Sequence, residues 1–253
     1  MGARELWLFR HGESLANVAA AEAERTGSER IEVDYRDADV PLSEIGVRQA
    51  EALGEWLAQN MPPERPAQMW TSPYLRAIQT ITVARDASGL DLDGQPRIDE
   101  RLRDRELGVL DLLTTLGVEA LLPEEAARRR WLGKFYYRPP GGESWADVAL
   151  RVRSLLRDID AGADDAADPS APVVLAAHDA VVMVFIYVCL GLSEADLLEF
   201  AKTHTVSNAS VTRLERPSGA GPWTLGAFSH DEHIRETGVP VTEHAGDKDA
   251  DIH

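Results

Sequence analysis

The chain alternates short apolar runs with longer stretches in which apolar residues recur at helical spacing. The short runs, at residues 5–9, 68–71, 172–177 and 210–215, read as buried strands. The longer stretches predict helices over residues 15–25, 43–60, 73–88, 123–133, 144–160, 180–190 and 194–200. Several boundaries carry their own punctuation. Ser43 precedes the periodic set Ile45, Val47, Leu53, Trp56 and Leu57, and Pro62-Pro63 stops that helix. Ser72-Pro73 places a cap before a proline at the first helical position. Pro139-Pro140-Gly141-Gly142 makes a sharp loop ahead of Ser144, and residues 160–170 read as a solvated loop. Strands alternating with helices predict an α/β fold, a three-layer sandwich with a mostly parallel central sheet and helices on both faces. One domain over residues 1–228 is expected, followed by a flexible acidic tail over 229–253, where the pattern becomes polar and aperiodic.

Composition narrows the function classes. Apolar residues make up 44% of the 253, enough for a sizeable core. The net charge of −17 argues against nucleic acid or an anionic membrane as partner, although a local arginine cluster can reverse the sign inside a pocket. The membrane-like stretch 173–192 is interrupted by His178 and Asp179, and its uninterrupted part is shorter than the roughly 20 residues of a span. Residues 6–9 are too short for a signal peptide. Cys189 is the only cysteine, which suits a cytoplasmic location and a buried, inert thiol.

The chemistry gathers where apolar runs end. The first run stops at Arg10-His11-Gly12-Glu13. In an open α/β sheet, ligands bind at the carboxyl ends of strands. There Arg10 can clamp phosphate oxygens with its planar donors, and a neutral His11 can attack phosphorus. Gly12 admits a phosphate close to the backbone, and Ser14 can cap a helix whose amino end favours an anion. After the second run, Arg76 lies in the first turns of a helix and can point back over the strand end. The run Val173-Val174-Leu175-Ala176-Ala177 again ends in a histidine, His178.

Together, Arg10-His11-Gly12, Ser72-Pro73-Tyr74-Leu75-Arg76 and the strand-end His178 resemble, in this order, the motifs of the histidine phosphatase superfamily, the phosphoglycerate mutase-like enzymes. The stretch Asp39-Val40-Pro41-Leu42-Ser43-Glu44-Ile45-Gly46 resembles a structural link of the same family. The resemblance implies a two-step phosphoryl transfer. His11 forms a phosphohistidine. Arg10, Arg76 and His178 hold the equatorial oxygens, with Asn17 adding a neutral donor and Ser14 standing beside it. The family's general acid, usually glutamate, falls on Asp104; Glu106, two residues later, competes for the role. Arginine supplies the positive charge, so no metal or other cofactor is expected.

One departure is Asp179, where the family usually carries a small residue. A carboxylate about 6 Å from a phosphate at an effective dielectric near 20 costs about 3 kcal/mol. Asp179 is therefore expected to point away, capping the next helix or pairing with an arginine. Residues 107–142 should set specificity. Arg128, Arg129, Arg130, Lys134, Tyr136, Tyr137 and Arg138 either favour a second anionic group or a stacked ring, or form a basic face balancing an acidic protein. The expected activity is phosphomonoester hydrolysis on a small phosphorylated metabolite. The alternatives are mutase-type transfer and a weakly catalytic phosphate-binding module. His230, His233, His244 and His253 could bind metal only loosely. The oligomeric state is open, a homodimer being one option.

Overall fold

A computed structural model describes residues 2–61, 68–90, 94–162 and 171–243. Its sheet comprises β1 (Glu5–Arg10), β2 (Gln68–Thr71), β3 (Arg97–Ile98), β4 (Val173–Ala177), β5 (Val211–Glu215) and β6 (Thr224–His230). Their order is β3-β2-β4-β1-β5-β6. β4 pairs parallel with both β1 and β2, and β2 pairs parallel with β3. Only β5 runs against its neighbours. This is the mostly parallel three-layer α/β sandwich that the alternation predicts.

Side-chain alternation along β1 builds both cores. Leu6 and Leu8 join a cluster with Val148, Val152 and Leu155 of α6 (Trp145–Gly162) and Val181 and Phe185 of α7 (Asp179–Leu190). Leu197 of α8 (Glu194–Thr203) lies in the same cluster. Trp7 and Phe9 face the other way, onto Leu53, Trp56 and Leu57 of α2 (Glu44–Asn60) and Ile81 of α3 (Leu75–Ser88). Strands buried on both faces read as continuous apolar runs, which is why β1 and β4 stand out in the sequence.

The parallel register brings three strand ends to one edge. Arg10 lies beside Ala177, and Thr71 beside Ala176. The His11 N–H donates to the Ala177 carbonyl at 3.0 Å, and the Ser72 N–H to the Ala176 carbonyl at 2.9 Å. His11, Ser72 and His178 thus leave the sheet as neighbours.

The structure departs from the sequence reading in four places. α3 begins at Leu75 with Tyr74 as its cap, so Ser72-Pro73 precedes the helix instead of starting it. α5 (Pro123–Tyr136) breaks at the expected end, Gly133, whose φ is 75°, and then resumes to Tyr136. Four elements were not anticipated: β3, β6, α4 (Thr115–Leu121) and α9 (Glu232–Glu236). The expected tail begins with ordered chain: His233 and Ile234 of α9 are buried, and the Asn208 N–H donates to the Thr242 carbonyl. Residues 244–253, Pro62-Pro63 and residues 163–170 of the expected loop lie outside the described residues. Among the described residues no helix is long and apolar enough to cross a membrane.

Where the chain leaves β1 it presses on the start of α2. A Cβ on Gly46 would sit 2.0 Å from the Glu13 carbonyl oxygen, and one on Gly12 would sit 2.6 Å from the Gly46 carbonyl oxygen. Neither backbone can yield, because Ser43 N–H bonds the same Glu13 carbonyl. Gly46→Ala is expected to cost about 2 kcal/mol or more by overpacking, read as a fall in the urea midpoint with an unchanged slope.

Candidate active site

The turn after β1 is fixed on every side. The Ala209 N–H lies within hydrogen-bond reach of both the Arg10 and His11 carbonyls, at 3.1 and 3.2 Å. Asn208 Nδ2 donates to the His11 carbonyl at 3.0 Å. Ala209 holds a left-handed φ of 53° to make this approach. The Gly12 N–H donates to Thr80 Oγ1 and the Glu13 N–H to Gln49 Oε1. Ser14 caps α1 (Leu15–Thr26) as expected, in a capping box with Asn17. Asn17 Oδ1 is thereby committed to the Ser14 N–H at 3.0 Å.

Two imidazoles and two guanidinium groups converge beyond this turn. The rings of His11 and His178 lie edge to face, 5.1 Å between centroids. Arg10, His11, Arg76 and His178 are 2%, 4%, 4% and 0% exposed. His11 Nδ1 lies 2.7 Å from the Gly12 carbonyl. A carbonyl can only accept, so Nδ1 carries the hydrogen and Nε2 keeps its lone pair. Burial, reinforced by Arg76, His178 and Arg10, pushes His11 well below the ordinary histidine range. His178 Nε2 meets Ser72 Oγ at 2.9 Å. Its Nδ1 stands 3.2 Å from Asp104 Oδ2, off the line of a hydrogen bond. Burial lowers His178 as well, against the pull of Asp104. Arg10 Nη1 donates to the Val206 carbonyl, while its Nε has no hydrogen-bond partner among the described residues.

Three carboxylates surround these cations. Asp104 Oδ2 accepts from Arg76 Nη2 at 3.1 Å, and Oδ1 from the Arg105 N–H at 2.8 Å. Burial would raise the Asp104 carboxyl, but His178, Arg76 and His11 together hold it well below the usual range. Of the two acids weighed from sequence, Asp104 therefore touches the cluster, whereas Glu106 is exposed and joins its neighbours through its backbone. Asp37, which sequence reasoning passed over, accepts from Arg76 Nη1 through both its carbonyl, at 2.6 Å, and Oδ1, at 2.8 Å. Asp179 does not cap the next helix as expected: it is the first residue of α7, whose cap is His178, and its Oδ1 accepts the adjacent Ala180 N–H at 2.5 Å. Its charge also acts on Arg10, Arg105 and Lys134.

The basic stretch of α5 divides. Arg130 pairs with Glu119, Arg138 with Asp147, Tyr136 with Glu194, and Tyr137 with Glu125. Lys134 Nζ lies over the Trp145 ring, 5.2 Å from its centroid, and Arg129 and Lys134 are both within electrostatic reach of Arg105, with Glu119 acting on Arg129 and Asp179 on Lys134. Burial, with Arg129 and Arg105 adding to it, brings Lys134 down to about 8. His230 and His233 stand 5.9 Å apart beside Trp56, and His244 and His253 lie outside the described residues. Among the described residues no group of three His, Cys, Asp or Glu could hold a metal ion.

A family model described as the histidine phosphatase superfamily (branch 1) matches residues 6–227. The chain is 31% identical over 230 residues to glucosyl-3-phosphoglycerate phosphatase of Mycobacterium tuberculosis, covering 90% of each protein. It is 32% identical over 154 residues to a probable phosphoglycerate mutase of Yersinia enterocolitica, covering 60% of this chain and 61% of that one. A solved mycobacterial glucosyl-3-phosphoglycerate phosphatase in complex with VO3 superposes with a TM-score of 0.67 at 29% identity, over 90% of this chain and 100% of that one.

Ser72 orients His178 through one hydrogen bond, worth about 1 kcal/mol. Ser72→Ala is therefore expected to weaken inorganic phosphate binding about five-fold, measured by calorimetry, with circular dichroism unchanged.

Proposed function

Because the chain belongs to the histidine phosphatase superfamily, we propose that it is a phosphomonoesterase working through a phosphohistidine at His11. The observation that carries this reading is the His11 ring, its Nδ1 2.7 Å from the Gly12 carbonyl and its centroid 5.1 Å from that of His178, buried together with Arg10 and Arg76. In the first step Nε2 of His11 bonds to phosphorus as the ester P–O bond breaks, and Asp104 gives its proton to the departing oxygen. Asp104 is ionised in the free site beside Arg76 and His178; the substrate's phosphate dianion offsets the Arg76 charge and raises its affinity for a proton, so Asp104 takes up from solvent, as the substrate binds, the proton that it then transfers. In the second step Asp104 takes a proton from water as the new P–O bond forms and P–N breaks. Arg10, Arg76 and His178 hold the equatorial oxygens throughout. The Asn17 amide and the Ser14 end of α1 flank them.

Rapid quench with ³²P-labelled substrate is expected to trap an acid-labile, base-stable label on the native chain and none on His11→Ala. Free phosphate as product supports the phosphatase. An isomerised phosphate ester supports the mutase alternative, and no label at all supports a binding module.

The substrate class we infer is a phosphorylated carboxylate of glycerate type, as in the names of the mycobacterial relatives. Arg105, Arg129 and Lys134 form a second cationic patch beside Asp179. Lys134 is charged below about pH 8 and neutral above it. KM for 3-phosphoglycerate is therefore expected to rise as pH passes 8, while KM for p-nitrophenyl phosphate, which lacks the carboxylate, stays flat. Lys134→Met should abolish that difference. A cytoplasmic location suits a chain whose one cysteine is buried in α7.

A further inference from the structure

The loop that carries Asp104 is held by a buried ion pair from elsewhere in the chain. The Glu143 carboxylate accepts from Arg151 at two points: Oε1 from Nε and Oε2 from Nη2, both at 3.1 Å. Oε1 also accepts from Arg103 Nη2, and Oε2 from the Glu106 N–H at 3.3 Å. The Glu143 N–H returns a bond to the Glu106 carbonyl at 2.8 Å. Arg151 spends its remaining donors on the same loop: Nη1 on the Arg101 carbonyl at 2.7 Å and Nη2 on the Asp104 carbonyl at 3.1 Å. The Val109 N–H donates to the Pro140 carbonyl. A Cβ on Gly108 would lie 2.2 Å from that same carbonyl oxygen. The two side chains are 14% and 9% exposed, so water screens the pair little.

We propose that Glu143 and Arg151 are positioning residues for proton transfer, fixing the backbone of Asp104 so that its carboxyl meets the departing oxygen. The proposal rests on Asp104 as the general acid. Aspartate makes the constraint stricter. It is one methylene shorter than glutamate and has one torsion fewer, so it cannot make up for a shifted backbone. The Pro139-Pro140-Gly141-Gly142 loop gains a purpose here, since it delivers Glu143 to the Glu106 peptide. Among the described residues neither makes a hydrogen bond or ion pair with Arg10, Arg76 or His178, so the pair reaches the site through the loop and through the charge of Arg151 on Asp104.

Leaving-group dependence separates this role from general damage to the fold. An alkyl phosphate needs a proton on its departing oxygen, whereas p-nitrophenolate leaves without one. Glu143→Gln and Arg151→Met are expected to lower kcat/KM on glycerol 3-phosphate, which reports the first, phosphorylating step alone, about 10- to 100-fold. On p-nitrophenyl phosphate the loss should stay under about three-fold, with inhibition by inorganic phosphate unchanged. Arg151→Lys keeps one donor on the loop and should recover part of the loss. Equal losses on both substrates, or no loss on either, overturn the proposal. Should Arg151→Met fail to fold, the isosteric Glu143→Gln decides the matter by the same ratio. Asp104→Asn is read alongside. If it too loses kcat/KM equally on both substrates, the assignment of Asp104 as general acid is what fails. If it discriminates and the Glu143 variant does not, the positioning role fails alone.

Discussion

A single hydrogen bond, between His11 Nδ1 and the Gly12 carbonyl, sets the chemistry that this site can perform. It assigns the hydrogen to one nitrogen and leaves the other as a nucleophile. Much of the surrounding architecture holds that bond still. Asn208 and Ala209 fix the carbonyl of His11, Thr80 fixes the N–H of Gly12, and Gly46 allows α2 to approach the turn closely. Loss of any of these would free the peptide that selects the tautomer.

Charge is arranged around that bond with the same economy. Arg10 and Arg76 oppose protonation of His11, which keeps the ring neutral. Buried cations are costly without partners. Asp37 and Asp104 share Arg76, and Asp179 acts on Arg10. The three acids differ in what they can do next. Asp37 comes from the chain before α2 and holds Arg76 by backbone and side chain together. Asp179 is bound to its own helix. Asp104 is the acid in contact with both Arg76 and His178, which together lower its affinity for a proton.

The convergence of Arg10, His11, Arg76 and His178 was legible in the sequence because each follows an apolar strand or opens the next helix. A parallel sheet sends such ends to one edge. Their partners were not legible. Ser72 reads as a helix cap, yet the helix starts later and its hydroxyl turns to His178, over a hundred positions away. Asp37, Glu143 and Arg151 look like surface charges in an acidic chain. Their roles depend on contacts spanning 39, 37 and 47 positions, which no local pattern encodes. β6 escaped notice because its residues are mostly half-exposed, without the apolar run of a central strand. α9 was hidden in a polar segment that α2 nonetheless covers, with Gln49 bonded to Pro240 and Thr242.

The most direct test of the account is the protonation state of one ring. Nitrogen-15 NMR of the imidazoles, with His11→Asn used for assignment, reads tautomer and charge together. The account predicts that His11 at about pH 6.0 is neutral, with its hydrogen on Nδ1, and titrates below the free histidine value of about 6.5. A His11 that titrates at or above that value, or that carries its hydrogen on Nε2, would contradict it.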